Sequence, residues 1–222
     1  LLAKIGIHDV TVSGDTRFDR VLSIKEQSKE LPIVSAFLNG KNGFVAGSSW
    51  LPDEEIFIPY MLQNNPDWKL IIAPHVIGED HLQQILSKIE GKAVRYTQAS
   101  AEEVRDAQVL IIDCFGLLSS IYHYGEVAYV GGGFGVGIHN LPEAAVWGVP
   151  VIFGPNNQRF QEAQQLKACG GGLEINGAAD FQRIMDRFDA NPQQVEADGK
   201  KAGDYVKGKA GATGKVLHSV GL

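Results

Sequence analysis

The sequence predicts an α/β domain built on a doubly wound parallel sheet. Short apolar runs rich in β-branched residues alternate with amphipathic stretches from about residue 40 to residue 176, which is typical of successive βα units. Several of these runs are continuously apolar, as expected for strands buried on both faces of a parallel sheet. No internal repeat or low-complexity linker interrupts the pattern, so the 222 residues are predicted to form one domain.

The predicted strands are the apolar runs bounded by turn residues: Gly43–Ala46, Lys69–Ala73, Ala93–Tyr96, Val109–Ile112, Val127–Val130, Pro150–Phe153 and Leu173–Ile175. The predicted helices between them are Asp53–Asn64, Glu79–Lys88, Leu117–Tyr124, Leu141–Trp147 and Arg159–Ala168. Three further helices are expected at the C-terminal end, in about residues 178–222: Ala178–Asp189, Pro192–Gly208 and Thr213–Ser219.

The leading segment departs from this alternation. Val10–Gly14 is predicted to be a strand and Asp15–Lys29 a helix, both ahead of the first βα unit. The chain also opens on Leu1-Leu2-Ala3 without a methionine, which suggests a fragment of a longer protein. Residues 1–30 are therefore expected to be a connector from a preceding domain.

The composition excludes several classes of protein. Glycine is the outlier, with 26 of 222 residues or about 12%, against roughly 7% on average. The formal net charge of −6 gives no basic footprint, so no nucleic acid partner is expected. No apolar run approaches the roughly 18 to 20 residues of a membrane span, and no signal peptide is recognisable. Cys114 and Cys169 are interpreted as reduced core thiols of a cytosolic protein.

The most informative segment runs from Val130 to Glu143 and contains five glycines, two of which are Gly132 and Gly133. A strand ends, a loop almost free of side chains follows, and a helix begins whose N–H groups favour an anion. Asn140 and the first helical turn are expected to hold a phosphate, while Glu143 accepts hydrogen bonds from ribose hydroxyls. The alternative is a capping box formed by Asn140 and Glu143, which would leave the glycines unexplained.

Three other loops follow predicted strands and converge on the same edge of the sheet, where open α/β sheets bind ligands. The first contains Ser48 and Ser49, whose hydroxyls suit a carboxylate or phosphate or merely cap the next helix. The second ends on Pro74-His75, and the third runs from Asp113 through Phe115, Gly116 and Leu117. Each has a plain structural alternative when taken alone.

Several chemistries have no motif in this chain. The Gly-rich loop fails the G-x-G-x-x-G dinucleotide pattern, and no P-loop, H-E-x-x-H or G-x-S-x-G sequence occurs. No two aspartates lie two positions apart, so the Asp-x-Asp metal pair of one glycosyltransferase class is also missing. No metal site and no cofactor are expected. What remains is a pocket that binds through backbone groups, hydroxyls and one carboxylate.

The assembled motifs resemble the C-terminal half of the bacterial 3-deoxy-D-manno-octulosonic acid (Kdo) transferases of lipopolysaccharide synthesis. The resemblance covers nearly the whole chain, and Gly-x-His-Asn-x-x-Glu at residues 137–143 is its most specific element. The other matching segments are residues 13–19, 46–49, 72–75, 113–117, 129–136, 147–151, 154–155, 160–162 and 211–213.

This resemblance implies a GT-B glycosyltransferase, in which two Rossmann-like domains face each other across a cleft. Residues 1–222 would be the C-terminal domain, which binds the donor CMP-Kdo, while an N-terminal domain binds the lipid A precursor and carries the general base. No catalytic residue is expected in this chain. The family's CMP contacts correspond to Pro74, His75, Phe115, Gly116, Leu117, Asn140, Leu141, Pro142 and Glu143. Ser48, Ser49, Gly132 and Gly133 complete the predicted donor-binding set.

The resemblance also implies an inverting transfer at the cytoplasmic face of the bacterial inner membrane, with membrane association only through the N-terminal half. The chain departs from the family at Pro74-His75, where Pro-Arg-His is usual, and at Leu117 and Asn156, where Glu and His are frequent. Two alternatives stay open: another GT-B domain, from a UDP-sugar transferase or epimerase, and a non-catalytic Rossmann-like interaction domain.

Overall fold

Seven parallel strands form one sheet in a computed structural model that describes residues 2–63 and 67–221. The strands are β1 (Asn42–Ser49), β2 (Trp68–Pro74), β3 (Ala93–Arg95), β4 (Val109–Ile111), β5 (Val127–Val130), β6 (Val151–Phe153) and β7 (Gly172–Glu174). Their order across the sheet is β3-β4-β2-β1-β5-β6-β7, and every pair of neighbours is parallel. The predicted doubly wound parallel sheet is confirmed.

Helices cover both faces of the sheet. They are α1 (Thr16–Glu26), α2 (Pro32–Leu38), α3 (Leu51–Gln63), α4 (Glu79–Ser87), α5 (Leu118–Ile121), α6 (Leu141–Ala145), α7 (Gln161–Cys169), α8 (Ala178–Ala190), α9 (Pro192–Lys209) and α10 (Ala212–Ser219). One core layer lies between the sheet and α1, α2, α5, α6, α7 and α9, and the other lies between the sheet and α3, α4 and α8. Because both faces of the sheet are buried, the central parts of the strands are apolar, and β4, β5 and β6 are apolar throughout.

The direction of winding reverses between β1 and β5. From β1 the chain proceeds to β2 on one side, whereas β5, β6 and β7 are added on the other side. Loops that follow β1 and β5 diverge at such a switch point and leave a crevice between them. The Gly-rich loop after β5 and the serines at the end of β1 lie at this point of the sheet.

The end of β1 differs from the prediction. The strand continues beyond Ala46 through Gly47, Ser48 and Ser49, so the two serines belong to the strand rather than to a loop. Its register with β2 shifts between Gly47 and Ser49, and Ser48 has a φ of 50°. This left-handed conformation is unusual for a residue with a side chain and accompanies an irregularity in the β1–β2 ladder, which resumes with Ser49 paired to Pro74.

The leading segment is a correction to the predicted topology. Val10–Gly14 forms no strand, because no neighbouring strand pairs with it, and Val12 is 89% exposed. The helix predicted after it is confirmed as α1, which starts behind the N-cap residue Asp15. The short helix α2 was not predicted, since its sequence, Pro-Ile-Val-Ser-Ala-Phe-Leu, contains only seven residues and is mostly apolar.

The remaining differences are at helix ends and at the cysteines. The predicted helix Leu117–Tyr124 is a four-residue α5 followed by a 3-10 turn, and Asn64, the predicted end of α3, lies outside the described residues. The core interpretation of the cysteines is wrong, because Cys169 is exposed at the end of α7 and Cys114 is only half-buried. None of the helices in residues 2–63 and 67–221 is long and apolar enough to cross a membrane.

We expect Asp19→Ala to release α10 from α1. The Asp19 carboxylate accepts hydrogen bonds from the backbone N–H groups of Gly211 and Thr213 and from the Thr213 hydroxyl, the last at 2.8 Å. It thus caps α10 from a distant part of the chain, and losing a side-chain cap costs about 1 kcal/mol. Hydrogen exchange should accelerate in α10 while the exchange of β1 is unchanged. Equal protection of α10 in both proteins would contradict this role.

Candidate ligand-binding site

A pocket of about 250 Å³ opens at the carboxyl ends of β1, β2 and β4. Five of the predicted ligand residues line it: Ser48, Pro74, His75, Phe115 and Gly116. The Phe115 side chain is 81% exposed, which is unusual for an aromatic residue and leaves its ring free to contact a ligand or another domain. The structure therefore brings together residues from three segments that lie far apart in the sequence.

The Gly-rich loop packs closely against its neighbours. A Cβ atom on Gly133 would lie 2.6 Å from the backbone nitrogen of Gly154, in the loop after β6. Gly132 has a φ of 92°, in the region that favours glycine. Both glycines are therefore needed for the backbone path, so part of the glycine content has a structural explanation that is independent of any ligand.

A buried carboxylate that the sequence analysis did not identify holds this loop in place. Asp53, in the first turn of α3, is 1% exposed. Its Oδ1 accepts a hydrogen bond from the Tyr129 hydroxyl at 2.7 Å, and its Oδ2 accepts from the backbone N–H groups of Gly132 at 3.0 Å and Trp50 at 2.9 Å. Asp53 thus joins the end of β1, the end of β5 and the Gly-rich loop.

Asn140 and Glu143 form a side-chain pair instead of a capping box. Asn140 Nδ2 donates to Glu143 Oε1 at 2.7 Å, and the Ser119 hydroxyl donates to Glu143 Oε2 at 3.1 Å. The Asn140 side chain makes no capping bond to α6. Its Oδ1 is buried and has no hydrogen-bond partner among the described residues, although buried polar atoms almost always have one. The capping alternative for these two residues is therefore wrong.

The other predicted residues contact the crevice less directly. Leu141 and Pro142 are buried as the first residues of α6, so only their backbone groups are placed to meet a ligand. Leu117 is half-buried and precedes α5. The side chain of Ser49 is fully buried and its hydroxyl donates to Glu54 Oε1 at 2.9 Å, which removes that hydroxyl from the crevice.

Glu54 is a second buried carboxyl group behind the pocket. It is fully buried, it accepts from Ser49, and its Oε2 lies 3.0 Å from His81 Nε2. Burial raises the pKa of Glu54, while His81 and Ser49 act in the opposite direction. Because the folded state binds the proton more tightly, Glu54 contributes stability that is full below its unfolded pKa, near 4.5, and is lost as the pH rises through its folded pKa.

We expect Glu54→Gln to become more stable relative to the wild-type protein as the pH rises from 4 to 7. Glutamine keeps an oxygen for the Ser49 hydroxyl and carries no charge, so its burial does not become more costly when the carboxyl would ionise. Urea unfolding at several pH values measures the difference. Glu55→Gln, at the largely exposed neighbour, is the control and should follow the wild-type curve. A pH-independent difference for Glu54→Gln would contradict the burial argument.

Three aromatic rings meet beside the pocket. The His75 ring stacks on Trp50 with centroids 4.6 Å apart and on His139 with centroids 4.3 Å apart. Trp50 Nε1 also donates a hydrogen bond to His139 Nε2 at 3.1 Å. Burial lowers the pKa of His139, and the neighbouring His75 acts in the same direction. Both effects favour the neutral form of the His139 imidazole.

No metal-ligand cluster is present in the part of the chain that the structure describes, where no three His, Cys, Asp or Glu side chains are grouped to hold an ion. The charged side chains at the end of β3 and just after β4 already pair with one another. Arg95, at the end of β3, contacts both Asp113 and Glu79 at 2.9 Å. The pocket itself is lined by no lysine or arginine.

Comparison with known proteins places this site in a family context. No protein-family model matches the chain. A 3-deoxy-D-manno-octulosonic acid transferase from Aquifex aeolicus is 32% identical over 144 residues, which cover 62% of this chain and 39% of that protein. One from Rickettsia bellii is 28% identical over 190 residues, which cover 82% of this chain and 44% of that protein. The chain thus spans less than half the length of these curated relatives.

Solved structures show the same fold. The C-terminal CMP-Kdo binding domain of WaaA from Acinetobacter baumannii superposes with a TM-score of 0.65 at 20% identity, over 85% of this chain and 96% of that one. The UDP-GlcNAc 2-epimerase from Neisseria meningitidis gives a TM-score of 0.64 at 13% identity, over 99% of this chain and 57% of that one. The resemblance drawn from the motifs is therefore confirmed: this chain is a homologue of the Kdo transferases, which are glycosyltransferases, and it has the fold of a GT-B C-terminal domain.

Proposed function

We propose that this chain is the donor-binding domain of a glycosyltransferase that moves Kdo from CMP-Kdo to a lipid A precursor. The observation that carries the proposal is the pair formed by Asn140 and Glu143. It offers a carboxylate and a buried, unpartnered amide oxygen at the switch point of the sheet. Together they form a set of acceptors for the hydroxyl groups of a sugar.

The ribose is expected to bind at this pair. A carboxylate has about four lone-pair positions, and two of those on Glu143 are used by Asn140 and Ser119. The remaining positions and Asn140 Oδ1 accept hydrogen bonds from the two ribose hydroxyls. The pocket lined by Phe115 and Gly116 then packs against the faces of the cytosine ring and the sugar. The identity of the base is supported by the family resemblance alone.

The phosphate of the donor belongs near the first turn of α6. The N–H groups at a helix start have no partners within the helix and favour negative charge. When the acceptor hydroxyl attacks the anomeric carbon of Kdo, CMP leaves with the bonding electron pair and negative charge builds on this phosphate. This domain would orient the donor and stabilise the leaving group. The carboxylate that takes the hydroxyl proton is proposed to lie outside this chain.

We assign acceptor binding and membrane association to the part of the parent protein that lies outside this chain. A lipid A precursor would approach the cleft from the facing domain, and the parent protein would act at the cytoplasmic face of the bacterial inner membrane. Phe115 and Val136, which are 81% and 92% exposed, lie at the pocket and on the Gly-rich loop. We expect both side chains to contact that second domain.

A calorimetric titration with CMP, UMP and NAD tests the proposal. Binding that prefers CMP is the expected result. Preference for UMP would favour a UDP-sugar enzyme, an alternative supported by the fold shared with the UDP-GlcNAc 2-epimerase. The absence of any binding, to this chain and to the full-length parent protein, would leave the non-catalytic interaction domain as the explanation.

We also expect the isolated chain to bind nucleotide without transferring sugar, because no carboxylate in the proposed site is free to act as the general base. Asp53 and Glu54 are buried and hydrogen-bonded, and Glu143 holds Asn140 and Ser119. A turnover assay with CMP-Kdo and a lipid acceptor measures this. Transfer by the isolated chain, at a rate above that of a Glu143→Ala control, would contradict the prediction.

A further inference from the structure

The ring cluster formed by Trp50, His75 and His139 has no role in the function proposed above beyond the contact predicted for His75. Its three members come from the end of β1, the end of β2 and the link between the Gly-rich loop and α6. Trp50 and His139 both stack on His75, and Trp50 donates a hydrogen bond to His139. The three rings are therefore held in one defined geometry by two stacking contacts and one hydrogen bond.

The direction of the hydrogen bond fixes the protonation of His139. An indole N–H can only donate, so His139 Nε2 must be the acceptor and carry no proton. In a neutral imidazole the single proton then lies on Nδ1. Burial lowers the pKa of His139 and so supports the neutral form. The groups that face its ring are Trp50, His75 and the more distant Asp53, and no lysine or arginine is among them.

The Nδ1–H group is available to a ligand. No described residue accepts a hydrogen bond from it, while the opposite edge of the ring is held by Trp50 and packs against Gly132, where a Cβ atom would lie 3.0 Å from Cδ2 of His139. His139 also stands two positions before Leu141, the first residue of α6. The ring is therefore fixed in place next to the helix start, with one donor unused.

A phosphate at the start of α6 would lie beside a pocket that supplies no cation, so neutral groups would have to donate to it. No lysine or arginine lines the pocket, and Arg95 is engaged by Asp113 and Glu79. We propose that Trp50 is a positioning residue that holds His139 as its Nδ1–H tautomer, and that His139 donates this hydrogen bond to the phosphate of the donor nucleotide. The identity of the anion rests on the proposed function, whereas the tautomer does not.

The first test measures the tautomer without any ligand. Long-range ¹H–¹⁵N NMR spectra assign the protonated nitrogen of each histidine in the full chain. His139 should be protonated on Nδ1 in the wild-type protein, and Trp50→Phe, which keeps an aromatic ring but removes the donor, should yield a mixture of tautomers. The control is Trp68→Phe, which removes an indole donor at the start of β2, at the end of the sheet away from the pocket. An Nε2–H tautomer in the wild type, or no change in Trp50→Phe, would overturn the inference.

The second test compares CMP with cytidine, which differs only by the phosphate. Loss of one hydrogen bond to a charged group typically weakens binding about tenfold or more. Trp50→Phe and His139→Phe should weaken CMP binding about tenfold while cytidine binding changes by less than about twofold. An equal loss for both ligands would show a structural role only and overturn the inference while the proposed function stands. If the wild type binds neither CMP nor inorganic phosphate, the phosphate contact fails together with the proposed function.

Discussion

Asp53→Ala is expected to lower the free energy of unfolding by about 3 to 5 kcal/mol. Three donors would lose their acceptor at once: the buried Tyr129 hydroxyl, the buried backbone N–H group of Gly132 and the half-buried N–H group of Trp50. Leaving a buried donor without a partner costs about 1 to 3 kcal/mol. The three donors share one carboxylate, so their individual costs are not additive. The expected loss of stability is therefore smaller than the sum of the three costs.

Urea unfolding with a tryptophan fluorescence signal measures the loss, provided that the slope with denaturant stays constant. Asp67→Ala is the matched control, because the Asp67 side chain is largely exposed and its carboxylate lies 3.8 Å from Lys41 Nζ, and its effect should stay within about 0.5 kcal/mol. Hydrogen exchange of the Gly132 amide should also accelerate in Asp53→Ala. A loss below about 1 kcal/mol would show that the loop does not depend on this carboxylate.

Glu143→Ala is expected to weaken CMP binding by about 30- to 100-fold. The variant removes the proposed acceptor of the ribose hydroxyls, and a hydrogen bond to a charged group is worth about 1.5 to 3 kcal/mol. It also frees Asn140 and Ser119, whose side chains are held by the two carboxylate oxygens. A purely structural role for Glu143, as in a non-catalytic interaction domain, predicts only a small loss of stability, about 1 kcal/mol, and no change in affinity.

A matched control for Glu143 is available at the end of β7. Glu174 also accepts from an asparagine side chain, Asn157, at 2.8 Å, but it lies two strands away from β5. Glu174→Ala should leave CMP affinity unchanged. Titration with a nucleotide that lacks both ribose hydroxyls adds a second comparison, since its weak binding should be insensitive to Glu143→Ala. Equal losses for the two nucleotides would contradict the assignment of Glu143 to the ribose.

The sheet was predictable because its strands are marked locally. A run such as Val127–Val130 is apolar throughout and is followed by glycines, which fixes both its type and its end. Val10–Gly14 alternates apolar and polar residues, as a half-buried strand does. It has no partner strand, however, and it forms no strand in the structure. Pairing between distant segments is a tertiary property that local propensity does not contain.

The candidate site was predictable only in part, for a related reason. Ser48, His75 and Phe115 were identified because they follow the predicted strands, and the structure places all three at one pocket. Asp53 and Glu54 lie in the first turn of a helix, where acidic residues are common, so their position in the sequence did not mark them as part of the site. The structure buries both, and their partners Tyr129 and His81 are far away in the sequence. Such side-chain contacts across the sheet leave no signal in residue spacing.

The length of the outermost strands affects how the molecule meets its neighbours. β3 and β7, at the two edges of the sheet, contain three residues each. Another chain that tried to extend the sheet would find room for very few backbone hydrogen bonds at either edge. The sheet is therefore poorly suited to growing into ribbons by adding strands, and self-association at high concentration would have to start from exposed side chains such as Phe115 and Val136.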